Sequence, residues 1–258
     1  MMLSVVVITA REKCGFEALV RSLKSQTYEG PFELVFVDRM HESRAGLYEA
    51  AMAEVGIPFV SVADSPTEQG PCPGGARNAG IRAARGDWIV CIDDLTALFP
   101  STLAGHALAR DAGFDAAIGS FDVQTDDTIV SGHHADARRS DPRRSDGEWC
   151  SRHFYGMHMG FRKDAWEAIG GFDRLFDGVY GQEDCDFGAR LWRSGHSLGW
   201  MEETKVLCYR GAMHNDTHSV MFKRESEVPT AFVAGVPKWR NDAIIQWSEI
   251  VGRIRGDS

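Results

Sequence analysis

The sequence predicts an α/β fold in which a mostly parallel central sheet is flanked by helices. Short runs rich in Val, Ile and Phe alternate with longer amphipathic segments through the first half of the chain. Strands separated by helices need right-handed crossovers, so they pair in parallel. The apolar runs also end on polar residues, Thr9, Asp38 and Asp93, as the carboxyl ends of such strands do where ligands gather.

Each element follows from its local pattern. LSVVVIT (residues 3–9) reads as a buried strand, and FEALVRSLKSQ (16–26) as a helix with Phe16, Leu19, Val20 and Leu23 on one face. FELVFVD (32–38), IPFVSVA (57–63) and DWIVCID (87–93) are the next strands. AGLYEAAMAEV (45–55) and the glycine-opened GGARNAGIRAA (74–84) are the helices between them. In the second half, FDAAIGSFDV (114–123) and DTIVSGH (127–133) are expected to pair as strands. Residues 135–152 read as a polar, mobile loop with five arginines. FYGMHMGFRKDAWEAIGGFD (154–173) reads as a strand and a short helix closed by Gly170 and Gly171. EDCDFGARLWRSG (183–195) carries acids in its first turn, arginines in its last and glycine at its stop, the signature of a complete helix. NDAIIQWSEIVGRI (241–254) is an amphipathic helix. With no repeat and no hard boundary, residues 1–258 are expected to form one domain.

Composition narrows the function. With 258 residues, 43% hydrophobic and 25% charged, the chain is an ordinary soluble globular sequence. The first apolar run, Val5 to Ile8, is far shorter than a membrane span or signal core, so a cytoplasmic protein with no transmembrane segment is expected. A net charge of −9 argues against broad binding to a nucleic-acid backbone. The six cysteines contain no C-x-x-C pair, which argues for reduced thiols rather than a zinc cluster or disulfides. VVVITAREKCG lacks a glycine fingerprint, which argues against a dinucleotide-binding oxidoreductase.

Three motifs can carry chemistry, and each also has a purely structural reading. Asp38 and the pair Asp93–Asp94 end strands, where they either cap turns or hold ribose hydroxyls and a divalent cation. PCPGGARNAG (71–80) either forms a tight turn or brings backbone N–H groups and Arg77 to an anion. Glu183, Asp184 and Asp186 either complement a helix dipole or supply a general base.

LSVVVITAREK, LVRSLKSQTYEGPFELVFVD, GARNAGIRAARGDWIVCIDD, GFRKDAWEAIGGFDRLF and GQEDCDFGARLWRSG occur in this order over roughly residues 3–200. In that combination the chain resembles the GT-A glycosyltransferases, especially glycosyltransferase family 2. The resemblance implies a GT-A (Rossmann-like) fold whose donor half spans about residues 1–120. A smaller mixed sheet would lie on the acceptor side, in about 121–258. It also implies a nucleotide-sugar donor, expected to be UDP-linked, with Thr9 and Arg11 lining the nucleotide pocket and Asp38 contacting the nucleoside. Asp93 matches the first acid of the family's D-x-D element, near the diphosphate and a Mn2+ or Mg2+ ion. Asp184, with Glu183 beside it, matches the base of an inverting displacement.

Two positions depart from the family pattern. Arg39 follows Asp38 where a second acid is common, and Leu95 stands in place of the second D-x-D acid, leaving Asp94 in the variable middle position. The metal is therefore held by Asp93 or Asp94 with a distant ligand, for which His214 or His218 of MHNDTH is the candidate, or it is weak or absent. The arginine-rich loop with Trp149, Phe154 and Tyr155 is expected on the acceptor side, and Trp166, Phe172, Trp192 and Trp200 in the core. A retaining transferase and a non-catalytic nucleotide-sugar-binding protein are the alternatives. The acceptor stays open among a saccharide, a lipid-linked glycan, a small metabolite, a protein and a modified nucleobase.

Overall fold

The computed structural model describes residues 1–11, 14–64, 72–125, 128–130, 137–177 and 183–210. The amphipathic segment 241–254, His214 and His218 lie outside them. Strands β1 (Leu3–Thr9), β2 (Phe32–Asp38), β3 (Phe59–Ala63) and β4 (Trp88–Asp93) alternate with helices α1 (Phe16–Lys24), α2 (His41–Val55) and α3 (Pro73–Ala83). There follow β5 (Thr96–Leu98), α4 (Thr102–Asp111), β6 (Ala116–Ile118), β7 (Phe121–Thr125), β8 (Thr128–Val130) and α5 (Gly147–Ser151). The described chain ends with β9 (His158–Arg162), α6 (Lys163–Ala168), α7 (Glu183–Arg193), β10 (Leu198–Trp200) and β11 (Val206–Arg210).

Seven strands form the central sheet in the order β10-β6-β9-β4-β1-β2-β3. β1 to β4 run parallel, and β9 alone is antiparallel to its neighbours β4 and β6. The period of two sends Leu3, Val5 and Val7 to one face and Val6 to the other. The first set packs against Phe16, Leu19 and Leu23 of α1 and Met52 of α2. Val6, Val35 and Val37 pack against Ala76 and Ile81 of α3, in a core that continues to Phe187 and Leu191 of α7. Because helices cover both faces, these strands are continuous apolar runs rather than alternating ones. Gly80 lets α3 approach closely, since a Cβ there would stand 2.6 Å from Val6 Cγ1 and 2.7 Å from Val37 Cγ2.

The second, four-stranded sheet has the order β5-β11-β7-β8, with β11 antiparallel to β5 and parallel to β7. The expected strand pairing of 114–123 with 127–133 is thus half right. β7 pairs with β8, but β6 leaves for the central sheet. The arginine-rich segment is also better ordered than a polar loop. Residues Ala137–Ser140 and Pro142–Ser145 form 3-10 turns, followed by α5. Asp141 caps the second turn by accepting from the Arg143 backbone N–H, and Asp146 caps α5 by accepting from that of Glu148. Trp149 donates to Asp141 at 3.0 Å and is buried, as is Phe154, so both belong to the core rather than to an acceptor surface. Trp166 and Phe172 are buried as expected, whereas Trp192 is 38% exposed because it points outward from α7.

Candidate active site

A cavity of about 380 Å3 opens over the carboxyl ends of β3, β2, β1 and β4. Three interstrand steps separate β3 from β4, roughly 14 Å. Thr9, Arg11, Asp93, Asp94, Arg77, Glu183 and Asp184 all line it, so seven of the predicted site residues converge on one space. Asp38 does not. It is fully buried behind the wall, where it accepts from Arg44 at 2.7 Å, Tyr48 at 3.1 Å and the Met40 backbone N–H at 2.8 Å. The polar groups nearest that end of the cavity are instead Arg39 and Asp64, paired at 3.2 Å.

The two aspartates after β4 turn in different directions. Asp94 is 4% exposed, and both of its oxygens are held: Oδ2 accepts from Thr9 Oγ1 at 2.6 Å and Oδ1 from Arg11 Nε at 2.9 Å. Burial pushes its carboxyl up to about 6, against the opposing pull of Arg11 and Thr9. Asp93 keeps a 40% exposed side chain and accepts from Arg77 Nη2 at 2.9 Å. Arg77 is itself only 3% exposed, and its Nη1 donates to Glu183 Oε1 at 2.6 Å. Its guanidinium lies 5.6 Å from the Phe172 ring centre. The glycine-opened helix therefore spends its arginine on two carboxylates.

Helix α7 supplies the remaining acids. Burial raises the Glu183 carboxyl above its ordinary value, and Arg77 opposes that shift. Asp184 is fixed by two backbone donors, Gly156 N–H to Oδ2 at 2.6 Å and Cys185 N–H to Oδ1 at 2.8 Å. Asp186 points away and bonds Arg190 at 2.7 Å, which ties α7 to the carbonyls of Ile169 and Gly171. Gly156 precedes β9, and a Cβ there would overlap the Arg77 guanidinium.

These residues do not build an ordinary cation site. Leu95 is buried and apolar, Asp94 is enclosed, and among the described residues no group of three His, Cys, Asp or Glu side chains is placed to hold a metal ion. All six cysteines are free thiols, and Cys72 and Cys185 border the cavity. Sequence reasoning overlooked Asp64, although it follows β3 as Asp93 ends β4, and the same strand-end rule would have found it. Gly156 carried no signal, because its role depends on Arg77 and Asp184, far from it in sequence.

Among the described residues no helix is long and apolar enough to cross a membrane. Residues 4–170 match the family model described as glycosyl transferase family 2, and residues 145–212 match one described as the N-terminal domain of galactosyltransferase. An uncharacterized glycosyltransferase of Haemophilus influenzae is 33% identical over 100 residues, 38% of this chain and 31% of that relative. The match thus spans under a third of the curated relative's length. S. aureus TarS 1–349, solved with UDP-GlcNAc, has a TM-score of 0.65 at 14% identity and covers 98% of this chain and 72% of its own. The mannosyltransferase PcManGT of Pyrobaculum calidifontis, with GDP-Man and Mn2+, has 0.62 at 18% identity, covering 96% and 69%. GalNAc-T7 with UDP, GalNAc and Mn2+ has 0.61 at 15%, covering 81% and 44%. At these identities the likeness is one of fold.

Proposed function

The chain belongs to glycosyl transferase family 2, and from that premise we propose that it transfers a sugar from a nucleotide-sugar donor to an acceptor hydroxyl. The observation that carries the reading is Asp184. Its carboxylate lines the same cavity as the strand-end acids and is aimed by two backbone N–H groups. In this reading the donor lies along the strand ends, with its nucleoside toward Arg39 and Asp64 and its diphosphate toward Asp93. The UDP and GDP-Man ligands of the fold neighbours support a nucleoside diphosphate sugar, and we take UDP as the first candidate.

The reaction is a single displacement with inversion. Asp184 takes the acceptor hydroxyl proton as the oxygen attacks the anomeric carbon. The bond from that carbon to the diphosphate oxygen breaks, and its electron pair leaves with the nucleoside diphosphate. Arg77 holds Glu183 and Asp93 in place through its two terminal nitrogens, so the acids need no rearrangement during the step.

Replacing Asp184 with asparagine removes the base while keeping its size. Asp184→Asn is expected to lower kcat by about 10²–10⁴-fold, with donor Kd changed by less than about threefold in calorimetry. Retained turnover would remove Asp184 as the base. The enclosed Asp94 and apolar Leu95 favour one second reading, a protein that binds the nucleotide sugar without transferring it. Donor binding by the wild type with no turnover over a wide acceptor panel would select that reading.

A further inference from the structure

We infer that Arg11 is the cation that grips the donor diphosphate, in the position where a divalent metal would otherwise neutralise it. The inference rests on the nucleotide-sugar reading above. Asp64, Asp93, Asp94, Glu183 and Asp184 line the cavity against three arginines, Arg11, Arg39 and Arg77. An incoming diphosphate therefore needs positive charge close to Asp93 and Asp94. The described residues supply no metal-ligand cluster there. Arg77 is already committed, with its two terminal nitrogens on Glu183 and Asp93, and Arg39, held through Nε by Asp64, lies farther from β4, after β2.

Arg11 shares the Nε anchor of Arg39 but sits after β1, the strand paired with β4, and so beside Asp93 and Asp94. Its Nε donates to Asp94 at 2.9 Å, and no described residue accepts from its Nη1 or Nη2. Its side chain is 24% exposed and lines the cavity. Anchoring through Nε leaves the two terminal nitrogens as a planar fork, the geometry that binds phosphate oxygens in a bidentate manner. The fork is braced from behind. Arg44 Nη2 donates to the Arg11 carbonyl at 2.8 Å and to Asp38 at 2.7 Å, while Thr9 Oγ1 accepts from the Arg11 N–H at 3.2 Å. Asp94, the acid beside the missing D-x-D position, thus acts as a positioning residue for a protein cation.

Calorimetry with UDP, GDP and UMP, in EDTA and in Mn2+, tests the inference on the full chain. The wild type is expected to bind UDP or GDP in EDTA, with Kd within about threefold of that in Mn2+. Arg11→Gln should weaken the diphosphate at least tenfold in EDTA and shrink the preference for UDP over UMP, which a general loss of structure would not do selectively. Asp94→Asn keeps the charge of Arg11 but frees its fork, so a smaller loss of the same preference is expected. Diphosphate binding that vanishes in EDTA, or an unchanged preference in Arg11→Gln, overturns the inference while leaving the donor reading intact. No binding of either diphosphate under any condition overturns both.

Discussion

Arg77 is a buried guanidinium between two carboxylates, and that arrangement is costly to disturb. Desolvating Arg77 and Glu183 is offset only while the bonds of Arg77 to Asp93 and Glu183, at 2.9 and 2.6 Å, are both made. Gly156 is part of that balance, because its bare Cα leaves room for the guanidinium while its N–H holds Asp184. Gly156→Ala is therefore expected to displace Arg77 and Asp184 together. Steady-state kinetics should show transfer falling by at least about tenfold, since a misplacement near 1 Å can cost about 10²-fold. Unchanged kinetics would show that this packing is not needed. At this scale the sequence was informative about which acids end strands or open α7 and much less so about where they point. Asp38 and Asp94 were legible as strand-end acids, but their burial depends on Arg44, Tyr48, Thr9 and Arg11. Those partners come from other elements, and no local pattern names them.

At the scale of elements, β4, β9 and α4 meet around a buried polar chain. Trp88 of β4 donates its indole N–H to His106 Nδ1 on α4 at 3.4 Å, and His106 Nε2 lies 2.9 Å from His158 Nε2 on β9. Indole is a donor only, so His106 carries its proton on Nε2 and donates to His158. The proton of His158 is then on Nδ1, which is buried and has no hydrogen-bond partner among the described residues. Burial lowers both imidazoles, His106 to about 3, and for His158 the neighbouring His106 and Arg138 add to the effect. A lowered pKa gives stability that is present above the ordinary histidine value and lost as pH falls below it. For His106 alone the loss between neutral pH and pH 5 is about 2 kcal/mol. Urea unfolding of His106→Gln is expected to show a shallower decline from pH 7 to pH 5 than the wild type; parallel curves would contradict this. The elements differed in legibility for a related reason. β1 and β2 match their expected limits residue for residue, because strands covered on both faces are unbroken apolar runs. The three-residue strands β5 and β6 are too short for any period and exist through distant partners.

Across the whole molecule, a chain of net charge −9 gathers three arginines into one cavity between strand ends and helix α7. Five carboxylates line the same cavity, so attraction for an anionic donor has to come from where the arginines stand rather than from the net charge, and in the proposed reading a bound donor links the strand ends to α7. Ligand bound to the native state alone stabilises it by mass action, about 2.7 kcal/mol at 100 times Kd. For a chain of this size that corresponds to a rise in Tm of about 5–10 °C. A thermal-shift panel of nucleoside diphosphates should show that rise for the preferred nucleotide, and a flat panel would count against the proposed donor. The parallel half of the fold was readable because alternating elements leave few topologies. The reversal at β9 was not, since a strand's direction is set by its neighbours. That reversal has its own consequence. Because His158 pairs beside Ile92, the chain enters β9 at the edge where β4 leaves the sheet. The residues before it, Tyr155 to Met157, therefore reach the cavity while the strand's register is set downstream. The stretch leading into β9 is thus a keystone: Gly156 has to stay bare beside Arg77 and keep its N–H on Asp184, so a change in its length or in that residue would reach both the guanidinium and the acid of α7.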